Sequence, residues 1–271
     1  MVTLFDPHIH MYSRTTDDYE LMSKAGIEIV VEPSFWLGGL RTSVGTFIDY
    51  WEHIISFEAR RAKEYGIEHF ACISVNPKES MNRTLALAAI ESMRKYVDRE
   101  NVVAIGEIGY NLINDLEEEI FVKQLEIAIE KNMLIMIHLP HYNKKEAITR
   151  IEGLMNHNSQ IGTYDRKKIL IDHNTEETIK KVLDMGVYAG LTVYPVTKLS
   201  PERAIKIIRI QGSDKIMINS SADWGPSDPL SVPTVSREMR KENMSKKDIE
   251  NVTFFNAYDF YKQSPKFTWR G

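Results

Sequence analysis

Short apolar runs alternate with longer amphipathic segments along the whole chain, and the alternation repeats eight times. The apolar runs predict strands over Thr3–His10, Ile27–Pro33, His69–Val75, Val102–Ile108, Leu134–Leu139, Lys168–His173, Tyr188–Tyr194 and Lys215–Ser220. Most lack polar alternation, as strands covered on both faces do. Asp17–Ala25 and Thr46–Tyr65 read as helices stopped by Gly26 and Gly66. Leu116–Asn132 has acidic residues in its first turn, Thr175–Met185 stops at Gly186, and Ser200-Pro201-Glu202 opens a helix that runs on over Ala204–Ile210. Tyr188–Tyr194 is the weakest strand, because Gly190 and Pro195 flank only a short apolar stretch. Ser245–Lys262 predicts a closing helix across the base or flank, and 263–271 a loose tail. Strict βα alternation implies a parallel sheet, and right-handed crossovers let eight units close. The expected fold is α/β, a (β/α)8 TIM barrel in one domain over 1–271.

Chemistry concentrates where the predicted strands end. The residues are His8 and His10 in Asp6-Pro7-His8-Ile9-His10, Glu107, His138, His173, and Asp223 in Ser221-Ala222-Asp223. In a barrel these ends share one mouth. The chain has only eight histidines, so four of them ending apolar strands points to a shared task. Imidazole nitrogens and carboxylate oxygens are donors for Zn²⁺, Mn²⁺ and Fe²⁺. His8 and His10, two apart, face one side and can grip one ion. His138 and His173 can hold a second ion or complete the first, and Glu107 can bridge two cations. Asp223 lies beside strand one in a closed barrel, where it can ligate and also accept a proton. A divalent cation lowers the pKa of bound water from about 15.7 to roughly 7, and a nearby carboxylate can relay the proton.

The remaining histidines divide. His53 and His157 read as solvated, and His69 begins a strand at the wrong end. His141 lies in a loop above the site and is a candidate for substrate contact. Trp36, Tyr110, Tyr194 and Trp224 follow strand ends and are candidates to line an aromatic cup. Such a cup suits a small ester, lactone, amide or carboxylic acid better than a polyanion. Arg41, in the loop after strand two, is a candidate anion anchor.

Composition narrows the partners. The chain is 43% hydrophobic and 27% charged, enough for a sizeable core. A net charge of −4 provides no global basic field, so nucleic acid is a possible partner that charge does not favour. The one cysteine, Cys72, excludes an intrachain disulfide and sits in an apolar run as a buried thiol. The N-terminus shows no signal-peptide pattern, and no apolar run approaches bilayer length. A cytoplasmic protein without a membrane partner is expected.

The segments Asp6-Pro7-His8-Ile9-His10, Gly106-Glu107-Ile108-Gly109, Ile137-His138, Asp172-His173 and Ser221-Ala222-Asp223 resemble the amidohydrolase superfamily. Within it they are most similar to the TatD-type metal-dependent hydrolases, whose closing Thr-x-x-Asn-Ala stretch is similar to Thr253–Ala257 here. The resemblance runs in order over nearly the whole chain. Gly-Glu-Ile-Gly is its most specific piece, because phosphotriesterase-like relatives carry a carboxylated lysine on that strand.

The resemblance implies an amidohydrolase-like barrel with a divalent metal centre of two ions, zinc first, with manganese, iron or cobalt as alternatives. His8, His10, Glu107 and Asp223 would hold one ion, and Glu107, His138 and His173 the other. It implies hydrolysis, and several family members are deoxyribonucleases.

The chain departs from the family pattern at Asn76-Pro77, Gly109-Tyr110-Asn111, Asp172-His173-Asn174 and the segment Asn219–Gly225. Ligands persist while substrate-facing loops change. The expected activity is therefore hydrolysis of a phosphoester or of a small-molecule ester, lactone or amide. Two alternatives stay open: a mononuclear decarboxylase or lactonase of the same superfamily, and a non-catalytic metal-binding scaffold.

Overall fold

The structure is a computed structural model and describes residues 3–269. Eight strands form one sheet in sequence order: β1 (Leu4–Asp6), β2 (Ile27–Pro33), β3 (Glu68–Ile73), β4 (Val102–Gly109), β5 (Leu134–His138), β6 (Ile169–Ile171), β7 (Tyr188–Thr192) and β8 (Ile216–Asn219). Each neighbouring pair is parallel. The fold is a (β/α)8 TIM barrel.

The seam between β8 and β1 is closed just past the strands. Ser221 N–H donates to the His8 carbonyl at 2.7 Å, and His10 N–H donates to the Ala222 carbonyl at 2.9 Å. The segments that carry His8, His10 and Asp223 are thus part of the barrel's closure.

Several predicted strands overshoot at the mouth. β1 stops at Asp6 because Pro7 has no N–H for the ladder. β6 stops at Ile171, and His173 already lies in the left-handed region with φ +61°. Extended backbone beyond a strand keeps the same side-chain period, so periodicity alone cannot mark where pairing ends.

The helices are α1 (Thr16–Lys24), α2 (Val44–Glu52), α3 (Ala59–Glu64), α4 (Arg83–Tyr96), α5 (Asp115–Glu130), α6 (Lys144–His157), α7 (Ile179–Asp184), α8 (Pro201–Gln211), α9 (Ser231–Lys241), α10 (Lys246–Glu250) and α11 (Asn256–Tyr261). A π-helical stretch, His53–Glu58, joins α2 to α3, which accounts for the single long helix expected there. Starts are encoded locally: the Asn114 side chain accepts from Glu117 N–H before α5, and Ser200 accepts from Arg203 N–H before α8, where Pro201 comes first.

Alternate strand residues fill two apolar layers. Phe5, Val31, Phe70, Cys72, Met136 and Met217 fill the barrel interior. Leu4, Val30, Ile73, Ile105 and Ile218 face the helices. The C-terminal segment plugs the interior from below with Phe260, Tyr261 and Phe267. The tail expected to be loose is therefore packed. Phe267 stacks on Phe5 with ring centroids 5.9 Å apart and meets Phe70 at 4.6 Å. Positions 270 and 271 lie outside the described residues. Among the described residues, no helix is long and apolar enough to cross a membrane.

Candidate metal centre

At the mouth, three imidazoles converge on one carboxylate oxygen. Glu107 Oε1 lies 2.9 Å from His138 Nδ1, 3.0 Å from His173 Nε2 and 3.5 Å from His8 Nε2. His8 Nε2 in turn faces His10 Nε2 at 3.2 Å. Two donor groups share Glu107, His8/His10/Glu107 and Glu107/His138/His173, each with its ligand atoms within 4.8 Å of one another, and a third, His8/Asp172/His173, lies behind them. Gly106 makes this possible. A Cβ there would come 2.6 Å from Met136 Cβ, so only glycine lets β4 close against β5 beside Glu107.

The electrostatics suit a cation. Burial pushes His10 down to about 3, and burial with the nearby Lys198 charge pushes His173 well down too. His138 is lowered by burial as well. Burial alone would raise the Glu107 carboxyl, but His8 and His138 outweigh it and hold the group well below the usual carboxylate range. Burial pulls His8 down, but Glu107 and Asp172 outweigh it and raise this imidazole above its ordinary value. Neutral His10, His138 and His173 beside an ionised carboxylate are in the state in which such groups ligate. The His10 Nδ1 atom is buried without a protein partner, while Nε2 faces the cluster. The donor set fits a divalent metal.

A residue overlooked in the sequence holds this cluster from behind. Asp172 is fully buried, and His8 Nδ1–H donates to its Oδ2 at 2.5 Å. Asn219 Nδ2 donates to the same carboxylate at 2.9 and 3.1 Å, and the His173 amide at 2.6 Å. His173 Nδ1 bonds Thr192 Oγ1 at 2.6 Å, and that hydroxyl donates to Asp172 Oδ1 at 3.3 Å. One carboxylate thereby orients both rings and leaves both Nε2 atoms facing the mouth. A Cβ at position 190 would fall 2.0 Å from Asp172 Oδ1. The glycine that weakened strand seven in the sequence is the space into which Asp172 fits. On the other side, Asn76 Nδ2 donates to Glu107 Oε2 at 3.2 Å.

The other expected site residues fall in three places. Asp223, His141 and Tyr194 line a cavity of about 160 Å³ together with Glu107, His138 and His173. Asp223 stands in its wall and joins none of the donor groups. Its Oδ1 accepts from Tyr194 Oη at 2.8 Å and from Gly225 N–H at 2.7 Å. Trp36 lines a neighbouring cavity, and Trp224, 44% exposed, packs on Phe35 and Trp36.

Tyr110 is elsewhere. Beyond Gly109, at φ +133°, it is fully buried against Phe121, and its hydroxyl donates to Glu118 at 2.5 Å. Arg41 is not a free anion anchor either. It is buried in an ion pair with Glu79 at 2.6 Å, with Phe47 and Tyr50 against its guanidinium. His69 is buried on Glu32 at 2.8 Å, and His53, one-third exposed, bonds Glu58 at 2.9 Å.

Three lining residues had drawn no attention in the sequence. Phe35 stacks on His10 with centroids 4.0 Å apart, and Lys78 and Lys198 bring positive charge to the cavity. Lys198 Nζ reaches Ser221 Oγ at 3.1 Å. A lysine in a loop normally reads as solvated, so only the convergence of loops reveals these two.

The sequence profile of the TatD related DNase family matches residues 5–262. The chain belongs to that family. It is 30% identical over 259 residues to an uncharacterized metal-dependent hydrolase of Methanocaldococcus jannaschii, covering 96% of this chain and all of that one. The crystal structure of a TatD-like protein from Archaeoglobus fulgidus superposes with a TM-score of 0.77 at 22% identity, covering 95% of this chain and 99% of that one. A TatD homologue from Escherichia coli gives 0.69 at 13% identity over 97% and 99%. These two structures bear on the fold. With the family match and its donor clusters, this TatD-family protein is a metal-dependent hydrolase.

Proposed function

We propose that this TatD-family hydrolase cleaves the ester bond of a small phosphorylated substrate at a two-ion centre. The observation that carries the reading is one shared carboxylate, Glu107, between two donor groups, beneath a cavity lined by Lys78 and Lys198. His8, His10 and Glu107, with Asp223 beside them, would hold one ion, and Glu107, His138 and His173 the other. Zinc suits this donor set first, with manganese, iron or cobalt as alternatives. When bound, divalent ions supply an activated water and offset charge on the substrate oxygens.

The chain's own groups do the rest. Asp223 keeps Oδ1 on Tyr194 and Gly225 N–H, which leaves Oδ2 to take a proton in the cavity wall and return it to the leaving group. Lys78 and Lys198 hold anionic oxygens, and His141 stands at the rim. Phe35 and Tyr194 keep part of the cavity dry. Two lysines in so small a space favour a phosphoester over a neutral lactone or amide, which shifts the expectation set by an aromatic cup alone.

The test is elemental analysis of protein purified without chelator, followed by a screen of phosphomonoesters and lactones. Two ions per chain are expected, with phosphatase activity lost to chelator and restored by added Zn²⁺ or Mn²⁺. A single ion, or turnover of lactones alone, overturns the reading.

A further inference from the structure

A second cavity of about 310 Å³ opens beside the metal cavity, and Lys78 lines both. Its walls include Trp36, Leu40, Met81 and Leu85. Leu40 is 92% exposed and Met81 52%, so two large apolar side chains from separate loops stand uncovered around one hollow.

An aromatic wall connects this hollow to the metal centre. Phe35 stacks on His10, Trp36 follows with its ring 6.3 Å from Phe35, and Trp224 lies 5.1 Å from Phe35 and 6.1 Å from Trp36. Lys78 Nζ sits 4.5 Å from the Trp36 ring, at the junction of the two cavities.

We propose that the second cavity is the leaving-group subsite and takes a planar aromatic group, while the phosphoryl end lies between Lys78 and Lys198. The inference rests on the phosphoester reading. The volume suits one or two fused rings, and the wall offers faces for stacking. In the reaction, the water oxygen bonds to phosphorus and the phosphorus–oxygen ester bond breaks. The proton taken up by Asp223 passes to the departing aryl oxygen, releasing inorganic phosphate and a free phenol-type alcohol.

Gly39 lines the cavity, and a Cβ added there meets nothing within 4 Å, so Gly39→Phe places a bulky ring at the cavity edge with room for its Cβ. Two measurements test the subsite. Calorimetric titration with 2-naphthol should show binding to the protein as purified, weakened about tenfold in Gly39→Phe. For the metal-loaded enzyme, the ratio of kcat/KM for 2-naphthyl phosphate to that for methyl phosphate should fall about tenfold in the same variant. Leu40→Asp, at a fully exposed position, should move both readouts in the same direction and guards against a folding defect. No 2-naphthol binding by the wild-type protein, or an unchanged ratio in both variants, overturns the subsite. Binding of 2-naphthol that Gly39→Phe weakens, with neither ester hydrolysed, upholds the aromatic cavity and overturns the phosphoester reading instead.

Discussion

At the N-terminal ends of the strands the barrel is filled with rings, and at the C-terminal ends it is filled with charge. Phe5, Phe70, Phe260, Tyr261 and Phe267 close the base. Glu107, Asp172, His8, His10 and His173 occupy the mouth, all buried. Each large apolar side chain buried at the base contributes about 1.5–3 kcal/mol by leaving water. A buried carboxylate loses its hydration, and much of what its partners return goes to offset that loss. The base therefore holds the barrel together, and the mouth is tolerated for what it binds.

Substitutions at the two ends should separate activity from stability. Glu107→Gln removes the one oxygen on which both donor groups converge. Hydrolysis should fall by about 10³-fold or more, with only a moderate drop in the urea midpoint of the chelated protein, since the amide keeps the carboxylate's shape and loses its charge pairing with His8 and His138. A large loss of stability in that measurement would break the contrast. Phe267→Ala should act in reverse, costing about 3–5 kcal/mol in urea unfolding with kcat unchanged at temperatures where the variant is folded. Equal losses in both readings would mean that the base also shapes the site.

Asp172→Asn sharpens the comparison, because its carboxylate lies just beneath the ligands. It keeps the shape but not the charge that orients His8. Metal affinity should fall about 10–100-fold in a competition titration with a chelator, whereas a purely structural role predicts unchanged affinity and a lower unfolding midpoint.

The smallest effect belongs to Lys144 beside the mouth, which burial and then Lys198 push down to about 7 from 10.5. The unfolded chain keeps that proton up to 10.5, so this group's contribution to stability is full above 10.5 and lost as pH falls through about 7. Lys144→Met should flatten the pH dependence of the urea midpoint across that window. An unchanged slope would show that Lys144 keeps an ordinary affinity for its proton.

The base and the ligands could be read from the chain for different reasons. Strands buried on both faces carry unbroken apolar runs, so Val102–Gly109 and Leu134–His138 stand out, and Ser200 before Pro201 marks a helix start by a local hydrogen bond. His138 and Glu107 are legible because they lie within those runs. Asp172, Asn76, Lys78 and Lys198 gain meaning only when distant loops converge, and no local period encodes that. Tyr110 and Arg41 misled because residue type does not reveal which way a side chain turns after a strand. Gly190 carried a real signal whose meaning was hidden: it marked a carboxylate from another strand, not a weak strand.

The closure between β8 and β1 joins the first and last parts of the sheet through the residues that bear the ligands. Ser220 N–H also donates to Asp6 Oδ1 across 214 positions of sequence. Such contacts form late, because the entropy of closing so long a loop must be met before they contribute. Shutting the ring and assembling His8, His10 and Asp223 into one place are therefore the same event. A chain still emerging, or one whose last strand has slipped away, carries every ligand and no centre, so the protein's chemistry is withheld until its ends have met.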